Sequence, residues 1–348
     1  MARRYKVGIV LGDGIGPEVV SATLDVLSHL GVNLEFVELK AGYEYYKKHG
    51  KPLEEGFFDK VKELDAVLKG PLYTPPHEKE FRSLNVLLRR ELGLYANVRP
   101  FKSFKGVSLK DFNFVIIREN TEDVYVGIEG QYGDYAVTLR VITKQGSEKI
   151  ARFSFDYAKS HGFNRVTVVH KANILKYTDG LFREVFFTVA KEHRGIEADE
   201  LIVDAAAYTM VKNPEKLQVL LTPNLYGDIL SDLAAGLVGS LGLCGSAQIG
   251  DTTAVFEPVH GTAPDIAGKG VANPLGEILA AKMMLEYLSA RHSDKELAKH
   301  ALILENAVRT LVESRRALTP DLGGSSGTRD VVSALKSTID EITVKSTE

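Results

Sequence analysis

Short apolar runs alternate with amphipathic segments along most of the chain. Lys6–Leu11 (KVGIVL), Leu34–Leu39, Ala66–Lys69, Val166–Val169, Leu201–Val203 and Leu217–Leu221 read as strands, and Gly70 and Pro71 end the third. Val20, Leu24 and Leu27 fall at helical spacing, with Gly31 placed as a C-cap. Gly180–Glu192, Leu225–Leu237, Glu277–Leu288, Glu296–Leu311 and a last segment from Thr328 also read as helices. Such alternation is the signature of an α/β protein. The middle breaks it. Phe114–Ile117, Val124–Ile128 and Tyr135–Ile142 are β-rich and punctuated by Gly127, Gly130 and Gly133, which predicts a hairpin or β-arm.

A chain of 348 residues exceeds what one core usually holds, roughly 250–300 residues, so two domains or one large body with a lobe are expected. Hydrophobic residues at 44% and charged residues at 26% are ordinary for a globular protein. A net charge of −3 argues against nucleic-acid binding, which needs a basic field. It leaves room for a small anion held by clustered arginines. One cysteine, Cys244, excludes an intrachain disulfide and fits a cytoplasmic setting. No run of about 18 apolar residues is present, so no membrane span is expected. The opening MARRYKVGIVLGDG reads as a first buried strand and not as a signal peptide.

Gly12, Gly14 and Gly16 between a strand and a helix invite a dinucleotide-binding reading, and Glu35 lies where a ribose-binding acid would. Pro17 stands where the third glycine of the fingerprint belongs, so the turn reads as one that feeds a helix, with Pro17 at its first position.

Candidate chemistry is clustered elsewhere. Asp228 and Asp232 are four apart, so they share a helix face. A divalent cation would relieve their repulsion, and an ordinary acidic first turn fits them too. Asp204 closes the run Leu201–Val203, where α/β active-site residues sit; a helix N-cap is the alternative. Lys171 follows another strand, as a base or as a surface lysine. Arg118 ends a third strand, as a carboxylate clamp or a structural ion-pair partner.

Taken in order, the segments GDGIGPE (Gly12–Glu18), KGPLYTP (Lys69–Pro75), SLNVLLR (Ser83–Arg89), YANVRP (Tyr95–Pro100), RENTEDVYVG (Arg118–Gly127), HKANILK (His170–Lys176), NLYGDILSD (Asn224–Asp232) and EPVHGTAPDIAGKGVANP (Glu257–Pro274) resemble the isocitrate/isopropylmalate dehydrogenase family of β-decarboxylating dehydrogenases. The resemblance covers nearly the whole chain. It implies an α/β, two-domain isopropylmalate-dehydrogenase-like fold, not a Rossmann fold, with parallel or mixed sheets flanked by helices and a β-arm at a dimer interface. Residues 1–95 plus 240–348 would form the larger, cofactor-binding domain. Residues 96–239 would carry the metal site and the interface.

The resemblance also implies roles. Ser83, Asn85, Arg89, Arg99, Arg118 and Asn173 would bind substrate. Asp204, Asp228 and Asp232 would hold Mg²⁺ or Mn²⁺. Lys171 would take the hydroxyl proton. Tyr125, its pKa lowered by cationic neighbours, would protonate the enolate left by CO₂. Lys171, Asn173 and Asp204 would act across the interface of a homodimer, alone or paired into a tetramer. Leu72, Thr74, His260, Gly261, Thr262, Ala263, Asp265, Ile266 and Asn273 would bind the cofactor. NADP-using relatives resemble this loop but carry Lys-Tyr at the Asp265-Ile266 positions. A carboxylate there suits the free ribose diol of NAD.

For the substrate, polar Ser83 and Asn85 favour isocitrate or homoisocitrate. Apolar Val86 and Leu87 favour 3-isopropylmalate as the alternative. The stretch Pro75–Glu80 departs from the glycine-rich loop of typical isocitrate enzymes. Rival readings are a non-catalytic regulatory subunit of the same fold, a nucleotide-binding protein without a redox role, and a tartrate- or malate-decarboxylating relative.

Overall fold

The computed structural model describes residues 3–78 and 81–345. Lys79 and Glu80, which close the Pro75–Glu80 stretch, lie outside them. The strands are β1 (Tyr5–Val10), β2 (Leu34–Glu38), β3 (Ala66–Lys69), β4 (Ala96–Lys102), β5 (Asn113–Glu119), β6 (Glu129–Tyr132), β7 (Tyr135–Thr138), β8 (Arg165–His170), β9 (Glu197–Ile202), β10 (Val219–Thr222), β11 (Gly245–Ile249) and β12 (Ala254–Pro258). The helices are α1 (Gly16–His29), α2 (Tyr43–His49), α3 (Phe57–Lys62), α4 (Leu84–Glu91), α5 (Lys144–Ser160), α6 (Thr178–Ala190), α7 (Val203–Lys212), α8 (Asn224–Val238), α9 (Leu275–His292), α10 (Lys295–Glu313) and α11 (Thr328–Lys345).

Ten strands make one mixed sheet in the order β2-β1-β3-β12-β11-β4-β5-β10-β8-β9. Pairing is antiparallel only in the middle, at β12/β11, β11/β4 and β4/β5. The outer pairs are parallel. Strands β3 and β10 are buried along their whole length, which is why they read as unbroken apolar runs. One half of the sheet draws its strands from before residue 96 and after 240, the other from between, and they meet at β11/β4. The strand order differs from the 3-2-1-4-5-6 of a Rossmann sheet. An α/β fold with a large mixed sheet flanked by helices agrees with the expectation.

Several segments depart from the sequence expectation. Val124–Ile128 forms no strand: Asp123, at φ 68°, caps a single 3₁₀ turn over Val124–Val126. Of Tyr135–Ile142 only Tyr135–Thr138 is strand, paired with β6 in a two-stranded hairpin, and Val141 adds a single antiparallel bridge to Asp123. Strand β9 stops at Ile202, because Val203 already opens α7. Strand β10 starts at Val219, because Pro214–Lys216 takes a 3₁₀ turn. Helix α5 was not foreseen. It is capped by the Thr143 hydroxyl on Gly146 N–H and buries Ile150, Ala151, Phe155 and Ala158 on one face.

The GDG turn acts as a knot. The buried Asp13 carboxylate accepts N–H bonds from Tyr43 (2.9 Å), Glu44 (3.0 Å) and Tyr73 (2.8 Å). It thereby ties β1 to the start of α2 and to the loop after β3. Gly14, at φ 60°, lets the turn press on the loop after β12, where Thr262 O accepts from Ile15 N–H at 2.9 Å. A side chain at position 14 would collide with the Thr262 carbonyl.

Candidate active site

Three arginines arrive from three elements. Arg89 lies on α4, Arg99 on β4 and Arg118 at the end of β5, and they are 6%, 5% and 1% exposed. They line a cleft of about 240 Å³ together with Leu72, Ser83, Asn85, Val86, Tyr125, Asp228, His260 and Gly261. Leu87 is turned to solvent, 37% exposed.

The first turn of α8 is built onto Arg118. Asp123 accepts from Leu225 N–H (2.9 Å), and Asn224 accepts from Arg118 Nε (2.8 Å). Gly227 has no Cβ where one would strike Arg118 Cγ at 2.6 Å. Asp228 is thereby set between Arg118, to which it is ion-paired, and the Tyr125 hydroxyl, which donates to it at 2.7 Å. Arg99 lies 3.7 Å away. Arg99 Nη1 also donates to Ser231 Oγ at 2.6 Å.

Burial sets the electrostatics. It lowers the pKa of Arg89 to about 10, with Arg118 adding repulsion. It lowers Arg99 too, again with Arg118 second. Burial would raise Asp228, but Arg118, the Tyr125 hydroxyl, Arg99 and Arg89 outweigh it and hold the carboxylate ionised. Asp232, one turn on, is raised by burial despite Arg99, with Asp228 adding to the rise. Tyr125 corrects the expectation of a lowered pKa: burial pushes it up to about 12, and Asp228 offsets much of what Arg118 contributes. The phenol is held as a proton donor. Arg118 Nη2 and Asn85 Oδ1 are buried without a partner.

Lys171 and Asp204 are not in this cluster. They pair with each other on a more open face, with Lys171 after β8 and Asp204 69% exposed in the first turn of α7. The expectation that Asp204 ends a strand fails because Ile202 is already the cap of α7. Lys171 N–H donates to buried Asp179 (2.6 Å), which pairs with Arg140 (2.8 Å) at the base of the hairpin. Asn173 is exposed in the same turn. Among the described residues, no three His, Cys, Asp or Glu of one chain gather as a metal site. Asp228 and Asp232 are hard oxygen donors on one helix face, so they fit a divalent cation as part of a donor set.

The loop after β12 carries the remaining expected residues. His260 and Gly261 reach the cleft. Burial lowers His260, which keeps it neutral. Thr262 contacts the GDG turn, and Ala263 takes φ 38°. Asp265 and Ile266 lie in a 3₁₀ turn with Asp265 exposed. Asn273 is half committed to structure, donating to Asp321 (3.0 Å) and accepting from Leu275 N–H (3.1 Å). Thr74 is exposed.

Sequence reasoning missed Lys69, Gln248 and Glu257, which are buried beside the arginines, with Glu257 lining the same cleft. The available signal was a polar side chain inside a strand whose neighbours are small or apolar.

Comparison with known proteins gives the fold and site a family. A profile described as isocitrate/isopropylmalate dehydrogenase matches residues 6–335. The chain belongs to that family. It is 46% identical to a homoisocitrate dehydrogenase of Methanocaldococcus jannaschii, over 94% of this chain and 95% of that one. It is 44% identical to a 3-isopropylmalate dehydrogenase of Methanothermobacter thermautotrophicus, over 96% and 98%. A crystal structure of isocitrate dehydrogenase from Methylococcus capsulatus superposes with a TM-score of 0.91 at 45% identity, covering 96% of this chain and 99% of that one. These three relatives bear three different substrate names. No helix among the described residues is long and apolar enough to cross a membrane.

Proposed function

We propose that the protein is an NAD-dependent β-decarboxylating dehydrogenase of a 2-hydroxy polycarboxylic acid, homoisocitrate or isocitrate, requiring Mg²⁺ or Mn²⁺. One observation carries this reading. Three nearly buried guanidiniums face one cleft with two ionised carboxylates, Asp228 and Glu257, of which Glu257 is already paired with Lys69, and Arg118 Nη2 is left without a partner. Buried charge without compensation is costly, so the cleft is built for an anion with more than one carboxylate.

Arg89, Arg99 and Arg118 would clamp the carboxylates and orient the acid in the cleft, whose wall also carries Leu72 and His260. Asp228 and Asp232, with Asp204, would hold the divalent cation. Bound there, the cation would supply Lewis-acid stabilisation of charge on the C2 oxygen, and NAD would supply the hydride acceptor. Lys171 would take the hydroxyl proton. When CO₂ leaves, the Tyr125 hydroxyl would return a proton to carbon.

Lys171, Asn173 and Asp204 would serve the cleft of a second copy, making a homodimer or a pair of dimers. Exposed Ile128, Tyr132, Tyr135, Val137 and Leu139 on and beside the hairpin support that assembly, as do Tyr177, Tyr208 and Ile229. Apolar side chains left exposed in this number are what a second copy would cover. Residues 1–95 with 240–348 would form the cofactor-binding domain and 96–239 the other.

Ser83 and Asn85, whose Oδ1 is buried without a partner, favour a polar arm on C3. Val86 and Leu72 in the same cleft favour the second reading, 3-isopropylmalate. The test compares kcat/KM for the three acids, with NAD and with NADP. Preference for the tricarboxylates with NAD supports the proposal. Preference for isopropylmalate would overturn the substrate assignment, and preference for NADP would overturn the role given to Asp265.

A further inference from the structure

Each of the three guanidiniums donates its Nε–H to a buried, uncharged side-chain amide. Arg118 uses Asn224 Oδ1 (2.8 Å), Arg99 uses Asn97 Oδ1 (3.2 Å) and Arg89 uses Gln248 Oε1 (2.8 Å). A neutral acceptor fixes the plane of the fork and leaves its charge for a ligand. A carboxylate in that place would fix the plane and cancel the charge.

Around Arg89 such a carboxylate is close. Glu257 lies on β12, and its Oε1 accepts from Gln248 Nε2 at 2.6 Å. Its other oxygen pairs with Lys69 of β3, whose Nζ also donates to Gly70 O at 3.1 Å. Gln248 Oε1 accepts a second bond, from Asn120 Nδ2 at 2.9 Å. Gln248, Glu257, Lys69 and Asn120 are 2%, 6%, 1% and 2% exposed. An ionised carboxylate accepts and cannot donate, so the Gln248 nitrogen faces Glu257 and its oxygen faces Arg89. Strands β3, β12 and β11 are neighbours, with Gln248 opposite Val255 and so diagonal to Glu257, and the sheet itself holds Lys69, Glu257 and Gln248 together.

We propose that Gln248 is a positioning residue for substrate binding, a neutral link that orients Arg89 and stands between it and Glu257, so that the two do not pair directly. Gln248 does not line the cleft; it acts through Arg89. The inference rests on the proposed function, in which Arg89 holds a substrate carboxylate.

The test is a kinetic cycle on the full-length protein with Mg²⁺ and NAD, using Gln248→Met, Gln248→Glu, Arg89→Lys and the double variant Gln248→Met/Arg89→Lys. Methionine keeps the bulk and removes both hydrogen bonds. Glutamate keeps the shape and sets a carboxyl against Arg89, so it also serves where methionine fails to fold. The expected result is a KM raised about 10–100-fold in each Gln248 variant, the range of a lost bond to a charged group, with kcat changed far less. The double variant should be little worse than Arg89→Lys alone, because lysine has no Nε–H for Gln248 to orient.

Wild-type KM in both Gln248 variants, or losses that multiply in the double variant, would overturn the inference and leave the proposed function standing. A wild type that reduces NAD with none of the three acids would overturn the function and the inference together.

Discussion

Replacing Tyr125 with phenylalanine separates proton delivery from binding. The hydroxyl makes one hydrogen bond, to Asp228 Oδ2 at 2.7 Å. The ring lies 5.1 Å from Arg118 Cζ, a cation–π contact that phenylalanine keeps. The loss to folding is therefore confined to one bond to a charged group, at most about 1.5–3 kcal/mol. Asp228 is 43% exposed on its side chain, so water recovers part of that. The kinetic cost is larger. A positioned acid contributes about 10²–10⁴ in rate, and removing it should lower kcat by that factor, about 3–5 kcal/mol of barrier. In the proposed function Arg89, Arg99 and Arg118 hold the substrate, so KM should stay near wild type. With its pKa pushed up to about 12, the phenol stays protonated through the neutral range and adds no limb of its own to the pH profile there. The assay is NADH formation at saturating acid and metal, with substrate affinity measured separately. A Tyr125→Phe variant with kcat within about threefold of wild type, less than about 0.7 kcal/mol, would refute the assignment.

Two further predictions concern the scaffold. Asp13→Ala removes the acceptor of three backbone N–H bonds and should destabilise the protein by about 2–5 kcal/mol, read as a lower denaturant midpoint at unchanged slope; a change under about 0.5 kcal/mol would show the knot to be dispensable. Glu305 bridges Lys102 (2.5 Å) and Lys282 (2.8 Å), and although burial raises its pKa, these lysines bring it down to about 2 from 4.5. A depressed folded-state value contributes stability above the ordinary carboxylate range and loses it as pH falls. Glu305→Gln should therefore cost about 1–2 kcal/mol at neutral pH, allowing for solvent around the pair. The gap to wild type should close between pH 4.5 and about 2, and a gap independent of pH would contradict this.

Legibility in the sequence followed burial. Strands covered on both faces, such as β3 and β10, read as apolar runs, and the long helices showed their period. Strand β4 was harder to see, because Arg99 and Pro100 interrupt its apolar run, and Pro100 lies beyond Val98, where β11 stops pairing. The Asp123–Val126 turn was misread because its valines and tyrosine have strand propensity, whereas Asp123 at positive φ decides the local path. In the site, Arg118 and Asp228 were visible from their places at a strand end and on a helix face, Arg89, Arg99 and Tyr125 came only from the resemblance, and the fold brings the five together. Lys171 and Asp204 were expected to act across the interface of a homodimer, and within one chain they pair with each other away from the arginine cleft. Gln248 and Glu257 stood out only as polar side chains inside strands, because their partners lie on other strands and only the sheet order makes them neighbours.

The central claim is oxidative decarboxylation of a polycarboxylic acid in the arginine-lined cleft. Its most direct test is to incubate the purified protein with homoisocitrate or isocitrate, NAD and Mg²⁺ or Mn²⁺, and to measure NADH and CO₂ together, with and without a chelator. The account predicts equal amounts of both products, abolished by chelation. NADH without CO₂, or neither product with any of the three candidate acids, would contradict it.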